Sequence, residues 1–425
     1  MCDTIGGELL LCFSREDVAA RRLMAMLRDR AVEHVEYLDS LADRLNYLDL
    51  KPDPNFEFEL HRVRVPVGQE SFKTTYLQYF YKRAMFEAIV QAPDKTVATH
   101  SRSDFQFTVA PHHILSTSSS APAGTPVSAK QFHFGSLYNQ FKKRIGLTST
   151  SSQNEKIRVL VLDTGVANDA PITVANKRNI VDPKNPGNID DDNGHGTAIA
   201  LLIHDLAPNA EFLIYKVADS TGRISEWDAL AGIAAQSDAH VVNLSMQFGL
   251  MDKGKGCAVC GRESHASRSA VFENIITQLA KRTPRPLVIA AAGNYRDKEL
   301  AFPARFGDVL AIGGITSGDT LTSSCNSGDL DQVGAPHKNH FVMPGGEDDP
   351  AHPEPILSST GAGAKDWSGS SFAAAFASGF VAQVLENIGL SNFNYNTFVA
   401  DLRRHADKSL PNYPSPDYGN GLMHT

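Results

Sequence analysis

Cysteine is scarce, with five in 425 residues. That is too few for the disulfide framework that staples small secreted folds. Basic residues are not in excess either. The formal net charge is −8, with 18 basic against 17 acidic residues in 1–150 and 22 against 31 after it. Neither part carries the clustered Lys and Arg of a nucleic-acid surface, so nucleic acid is excluded as an expected partner. Long apolar runs are missing: none approaches the ~18 residues that cross a bilayer. The run Leu9-Leu10-Leu11-Cys12-Phe13 is too short for a secretory leader, and it follows Asp3 and Glu8 where a leader carries positive charge. The expectation is a cytoplasmic chain with reduced thiols and no membrane partner. No segment repeats at solenoid periods. What is present, 42% hydrophobic and 21% charged residues, suits a globular chain long enough for two packed cores.

The chain changes character along its length. Ser116 to Lys130 is rich in Ser, Pro, Ala and Gly and nearly free of large apolar residues, as a linker is. A second polar stretch runs from Thr148 to Glu155. These divide the chain into an N-terminal region (1–115), a linker (116–155) and a large C-terminal domain (156–425). The N-terminal region reads as a smaller α+β domain. Ser14 with Asp17 matches a capping box, and helical spacing follows to about Leu50, with a break. Phe56 to Leu60 alternates as a half-buried strand does. A helix is predicted from about Tyr76 to Val90, and extended chain from Thr96 to Leu115.

From Lys156 onward, apolar strands alternate with helices. Strands are predicted at 157–162, 212–217, 240–246, 287–292 and 309–315, and helices at 197–206, 225–236, 268–282, 371–387 and 395–407. This alternation predicts an α/β domain with a mainly parallel sheet and helices on both faces. Asp163 ends the first strand in Leu162-Asp163-Thr164-Gly165. His195 heads a helix in Asn193-Gly194-His195-Gly196-Thr197, and Ser371 heads another in Gly369-Ser370-Ser371-Phe372-Ala373. Taken singly, Ser371 reads as a helix cap, Asp163 as a turn carboxylate and His195 as a loop histidine. Together they supply the hydroxyl, base and orienting carboxylate that acyl transfer needs. Asn294, in Ala292-Gly293-Asn294, adds an amide able to donate to an oxyanion. No Gly-rich phosphate fingerprint follows the first strand, because Asp163 occupies that turn.

With Asn243-Leu244-Ser245, Phe302-Pro303-Ala304 and the closing Tyr418-Gly419-Asn420-Gly421-Leu422, these segments stand in an order that resembles the subtilisin-like serine proteases, or subtilases. The resemblance covers the chain from about 155 to its end. It implies that Ser371 is the nucleophile, His195 the general base and then acid, Asp163 its orienter, and Asn294 an oxyanion donor with the Ser371 N–H. It further implies that an extended peptide lies between Gly222-Arg223-Ile224 and Ser245-Met246-Gln247, with Gly293 nearby. Gln247 stands where the family usually has Gly, which narrows the far non-primed subsites. No cofactor is required. Calcium often stabilises subtilases, but its ligands lie on variable loops and are unassigned.

The expected function is serine endopeptidase action on protein or peptide substrates, restrained by the N-terminal region as in a zymogen. The alternative is a catalytically silent subtilase fold used to bind peptides or assemble partners. The N-terminal region is also a docking site for a regulatory protein partner on this reading. Asp190-Asp191-Asp192 reads either as a solvated acidic loop or as a preference for a basic residue in the substrate. Cys257 and Cys260, with His265, read as half of a zinc site, as a redox or disulfide pair, or as plain reduced thiols. His204 and His240 read as structural or exposed.

Overall fold

The structure is a computed structural model and describes residues 4–52, 56, 58–91, 107–117, 126–147, 156–235, 238–248, 268–328, 337–360 and 364–425. In chain order, the first elements are β1 (Thr4–Ser14), α1 (Val18–Arg28), β2 (Glu36–Ser40), α2 (Leu41–Tyr47), β3 (Phe58–Arg64), α3 (Glu70–Gln91) and β4 (Thr108–Ser116). Then come β5 (Phe132–Phe134), α4 (Ser136–Arg144), β6 (Arg158–Asp163), β7 (Thr173–Asn179), α5 (His195–Leu206), β8 (Glu211–Lys216), β9 (Arg223–Ser225), α6 (Glu226–Ala234), β10 (Val241–Leu244) and β11 (Gln247–Phe248). The last elements are α7 (Ala270–Ala280), β12 (Leu287–Ala291), β13 (Leu310–Ile315), β14 (His340–Pro344), β15 (Leu357–Ser359), β16 (Asp366–Trp367), α8 (Ser370–Ile388) and α9 (Tyr395–His405). They form two compact units. One is Met1–Ile114 with Ser225–Gln236 and Leu250–Gln278; the other is Leu115–Ile224 with Ser237–Gly249 and Leu279–Thr425.

The first unit is built on an antiparallel sheet. β1 pairs with both β3 and β4, and β2 pairs with β3. The run Leu9 to Phe13, too short for a leader, is the buried centre of β1. Each of its five side chains is fully covered. Alternation sends Leu9, Leu11 and Phe13 into a cluster with Leu23 and Leu27 of α1 and Leu77 of α3. The alternate residues meet α6 and α7. The Cys12 thiol bonds to Asn274, His112 links Glu8 to the Trp227 N–H, and the Arg62 guanidinium lies over the Trp227 ring. The predicted Ser14 capping box does not form. Ser14 extends β1 to pair with Phe58, and Asp17 caps α1 by accepting from the Ala20 N–H at 2.9 Å. The break expected before Leu50 is the strand β2.

The second unit carries a seven-stranded parallel sheet in the order β14-β13-β12-β10-β6-β8-β7. Every residue of β10, β12, β13 and β14 is buried, which is why these strands read as continuous apolar runs. From β6 the chain passes to the edge strand β7, comes back inward to β8 beside β6, and then crosses to the other side at β10. The order therefore reverses beside β6, and Asp163 ends that strand. The carboxyl ends of strands at such a reversal are where open α/β sheets place their sites. Helix α8 packs on α5 and on the central strands. The helices approach so closely that a Cβ at Gly379 would lie 2.9 Å from the Leu206 Cβ and 3.0 Å from the Ile203 carbonyl. Contrary to the sequence reading, α8 is long and apolar enough to cross a bilayer, but 83% of its apolar window is buried, as in a core helix.

Glu226 begins α6 and is fully buried. Its carboxylate accepts the His113 N–H at 3.0 Å and bonds to Ser269. Burial outweighs both bonds and pushes its pKa up from 4.5 to about 8. The folded chain thus keeps a proton that the unfolded chain releases. The resulting stability is full below pH 4.5 and is lost as pH rises through 8. Glu226→Gln removes this dependence, which is at most about 1.4 kcal/mol per pH unit. Thermal melts from pH 5 to 8.5 should show the variant gaining on the wild type as pH rises. Parallel profiles would contradict the assignment.

Candidate active site

Asp163, His195, Ser371 and Asn294, far apart in sequence, meet at the carboxyl edge of the parallel sheet, all within the second unit. Asp163 and His195 are buried to 1% and 0% exposure. His195 Nδ1 lies 2.8 Å and 3.0 Å from the two Asp163 carboxylate oxygens, and the Thr164 N–H donates to Oδ1 at 2.7 Å. The imidazole is walled by Phe372, at 5.4 Å between ring centroids, and by Trp367, at 6.2 Å. Its Nε2 is buried and has no hydrogen-bond partner among the described residues. Ser371 sits in the first turn of α8, and its Oγ donates to the Ser245 carbonyl at 3.3 Å. The Ser245 hydroxyl returns a bond to the Ser371 carbonyl at 2.8 Å.

Asn294 follows β12. Its Oδ1 accepts from both the backbone N–H and the hydroxyl of Ser370, each at 2.9 Å, so the side-chain amide is fixed beside the first turn of α8. Its own backbone N–H donates to Gln247 Oε1 at 3.0 Å. Gln247 thus sends its side chain toward Asn294 rather than toward the far end of the cleft. Ser245, Met246 and Gln247 are all buried. At Gly293 (φ 113°) a Cβ would stand 2.7 Å from Asn326 and 2.8 Å from the Ala301 Cβ, so only glycine fits. Of the opposite edge, Arg223 is exposed and Ile224 buried, and the Gly222 carbonyl faces the chain segment after β4.

That segment lies where the sequence places a peptide. Leu115 and Ser116 pair antiparallel with Phe248 and Gln247. The Thr117 N–H donates to the Gly222 carbonyl at 2.9 Å. Leu115 is fully buried and Thr117 is 5% exposed. On the other side of residues 118–125, the Val127 N–H donates to the Asp191 carbonyl at 2.9 Å.

Asp191 is a supporting residue that sequence reasoning missed. Helix α5 starts from Gly194 at φ 95°, and glycine brings no capping side chain. Asp191, fully buried, takes over. It accepts the N–H groups of Asn193 (3.0 Å), Gly194 (2.8 Å) and Thr197 (2.8 Å) and the Thr197 hydroxyl (2.7 Å). Its neighbours are also engaged: Asp192 with Lys216 at 3.2 Å, and Asp190 with Asn168. Asp191 is therefore not a solvated carboxylate, whereas Asp190 and Asp192 are half-buried. The signal available in sequence was an Asp three residues before a side-chain-free cap. Cys257, Cys260 and His265 lie outside the described residues, among which no cluster of three or more metal-ligating side chains occurs.

The model of the subtilase family matches residues 154–421. Among curated proteins, alkaline elastase YaB of Bacillus sp. (strain YaB) is 31% identical over 168 residues, 37% of this chain and 39% of that protein. The thermostable alkaline protease of Halalkalibacterium halodurans is 25% identical over 282 residues, 63% and 66% of the two. The chain spans from about two fifths to two thirds of the length of these relatives. The crystal structure of the epidermin leader peptide processing serine protease (EpiP) from Staphylococcus aureus is similar with a TM-score of 0.56 at 16% identity, over 98% of this chain and 96% of that one. At that identity the likeness shows the fold.

Replacing Asp191 by Ala strands four buried donors at the turn that carries His195. Urea denaturation should show a loss of at least about 3 kcal/mol. A loss below about 1 kcal/mol would mean that the turn holds without it.

Proposed function

Since the chain belongs to the subtilase family, we propose that it is a serine endopeptidase whose own N-terminal region restrains it. The carrying observation is residues 115–117 paired between the two edges that the sequence assigns to substrate. They lie there as an extended peptide does, using backbone hydrogen bonds. The protease names of the curated relatives support the reaction class.

This reading gives each group a task. In the reaction, His195 Nε2 takes the Ser371 proton as Oγ attacks the peptide carbonyl, and then delivers it to the leaving amine. Asp163 holds Nδ1 and stabilises the imidazolium. Because Ser370 occupies Asn294 Oδ1, the Nδ2 donors are left for the oxyanion, together with the Ser371 N–H at the head of α8. Phe372 and Trp367 keep water from the imidazole. Restraint has two supports, the strand in the cleft and, inside the first unit, the attachment of the N-terminal sheet to α6. There His112 and His113 meet Trp227 and Glu226, and Arg44 meets Asp228 at 2.8 Å. The regulatory-partner reading extends this: a protein that drew the N-terminal sheet from α6 would release the restraint. Cytoplasmic residence stays part of the proposal, supported by Cys12 and Cys325 as buried free thiols.

The silent-module alternative has one observation in its favour, the Ser371 hydroxyl bonded to the Ser245 carbonyl rather than to His195. Mass spectrometry of purified chain separates the two. The wild type should yield an N-terminal fragment ending within residues 118–126, between the paired Thr117 and Val127, and Ser371→Ala should stay whole. Identical products from both, or cleavage elsewhere only, would overturn self-processing at this site.

A further inference from the structure

Resting on the endopeptidase reading, the geometry points to Gln247 as a positioning and specificity-determining residue: its side chain braces the oxyanion segment and closes the adjoining subsite to large side chains. Three observations carry this. Gln247 lies on the strand that pairs with the chain's own extended segment, opposite Ser116. Its side chain, 5% exposed on the whole residue, turns from that strand to the Asn294 backbone N–H. And the Ser245 carbonyl, two residues earlier on the same stretch, lies 3.3 Å from Ser371 Oγ.

A peptide carbonyl bonded to Ser371 Oγ therefore stands beside Ser245, with its oxygen toward Asn294. The side chain of that residue, the one before the scissile bond, has to enter the space between stretch 245–247 and segment 292–294. Gln247 crosses this space. A small residue such as Gly, Ala or Ser fits in front of the amide. A large apolar one meets a buried polar group that already holds a hydrogen bond, and displacing it leaves the Asn294 N–H without its acceptor. The same bond works in catalysis. Asn294 is anchored through Oδ1 by Ser370 and through its N–H by Gln247, so its donors hold their aim as charge builds on the oxyanion. Glycine at this position would offer neither the brace nor the barrier.

The test uses the full-length chain and the variants Gln247→Gly and Gln247→Glu, each titrated with a fluorophosphonate probe and then profiled on a peptide library. The wild type should cut after small residues. Gln247→Gly should gain at least about tenfold in kcat/KM for Leu or Phe at that position, the discrimination expected of a filled pocket. It should lose about tenfold in kcat for Ala, with KM little changed, as when an interaction made only in the transition state is weakened. Gln247→Glu, which keeps an acceptor of the same reach, should restore kcat for Ala and the bias against large residues. Unchanged preference and kcat in probe-labelled Gln247→Gly would overturn the assignment while leaving the endopeptidase reading intact. The assignment is overturned equally if Gln247→Gly misfolds and labelled Gln247→Glu accepts large residues as well as small. Failure of the wild type to label once it is cut within residues 118–126 and its cleft is free of residues 115–117 would sink the endopeptidase reading and this proposal with it.

Discussion

The contact on which this architecture depends is the buried hydrogen bond between the Asp163 carboxylate and His195 Nδ1. A carboxylate taken from water is costly unless its oxygens are satisfied. Here they are satisfied by an imidazole N–H and by the Thr164 N–H. Holding the pair requires two backbone elements to end at one point. Strand β6 delivers Asp163 at its last residue, and α5 delivers His195 at its first. The turn between Asp191 and Thr197 fixes the second of these. Thr164 and Thr197 tie the two turns together, since Thr164 Oγ1 accepts the Gly196 N–H and Thr197 Oγ1 accepts the Ala167 N–H. The site thus rests on the order of strands in the sheet, which reverses beside β6.

A second theme is reuse of one strand. β4 spends most of its length in the antiparallel sheet of the first unit and its last residues on β11. Tethered to the protein it occupies, such a segment acts at high effective concentration, and weak backbone pairing suffices to hold it. Cutting the chain after Thr117 would turn that tethered peptide into one bound by its remaining contacts. On the proposed reading, restraint by that segment is a matter of mass action.

Much of the fold was legible because the buried strands and helices carry their periodicity openly. β6, β8, β12 and β13, and α5, α8 and α9, lie where apolar spacing placed them, to within a few residues. β7 was missed because an edge strand, Thr-Val-Ala-Asn-Lys-Arg-Asn, is largely exposed and shows no apolar face. β14 was missed although it is fully buried: it is a short run bounded by His340 and Pro344, with no alternation to mark it. Near the N-terminus, β2 hid inside an apparently helical spacing, and the Ser14 cap lost to strand pairing. The residues that meet at the sheet edge stood out as short motifs, Asp163 and Asn294 at strand ends and His195 and Ser371 at helix starts. Asp191 and the reach of Gln247 did not, since each acts through hydrogen bonds that only the folded backbone brings together.

The most direct measurement is the mass of the chain quenched in acid during turnover of a peptide ester. An acyl adduct is expected on the fragment that carries Ser371 in the wild type, much reduced in Asp163→Ala, where the imidazole loses its orienting carboxylate. A wild type that is free of residues 115–117 in its cleft yet never gains the acyl mass, or gains it equally without Asp163, would contradict the central role given to the buried Asp163–His195 pair.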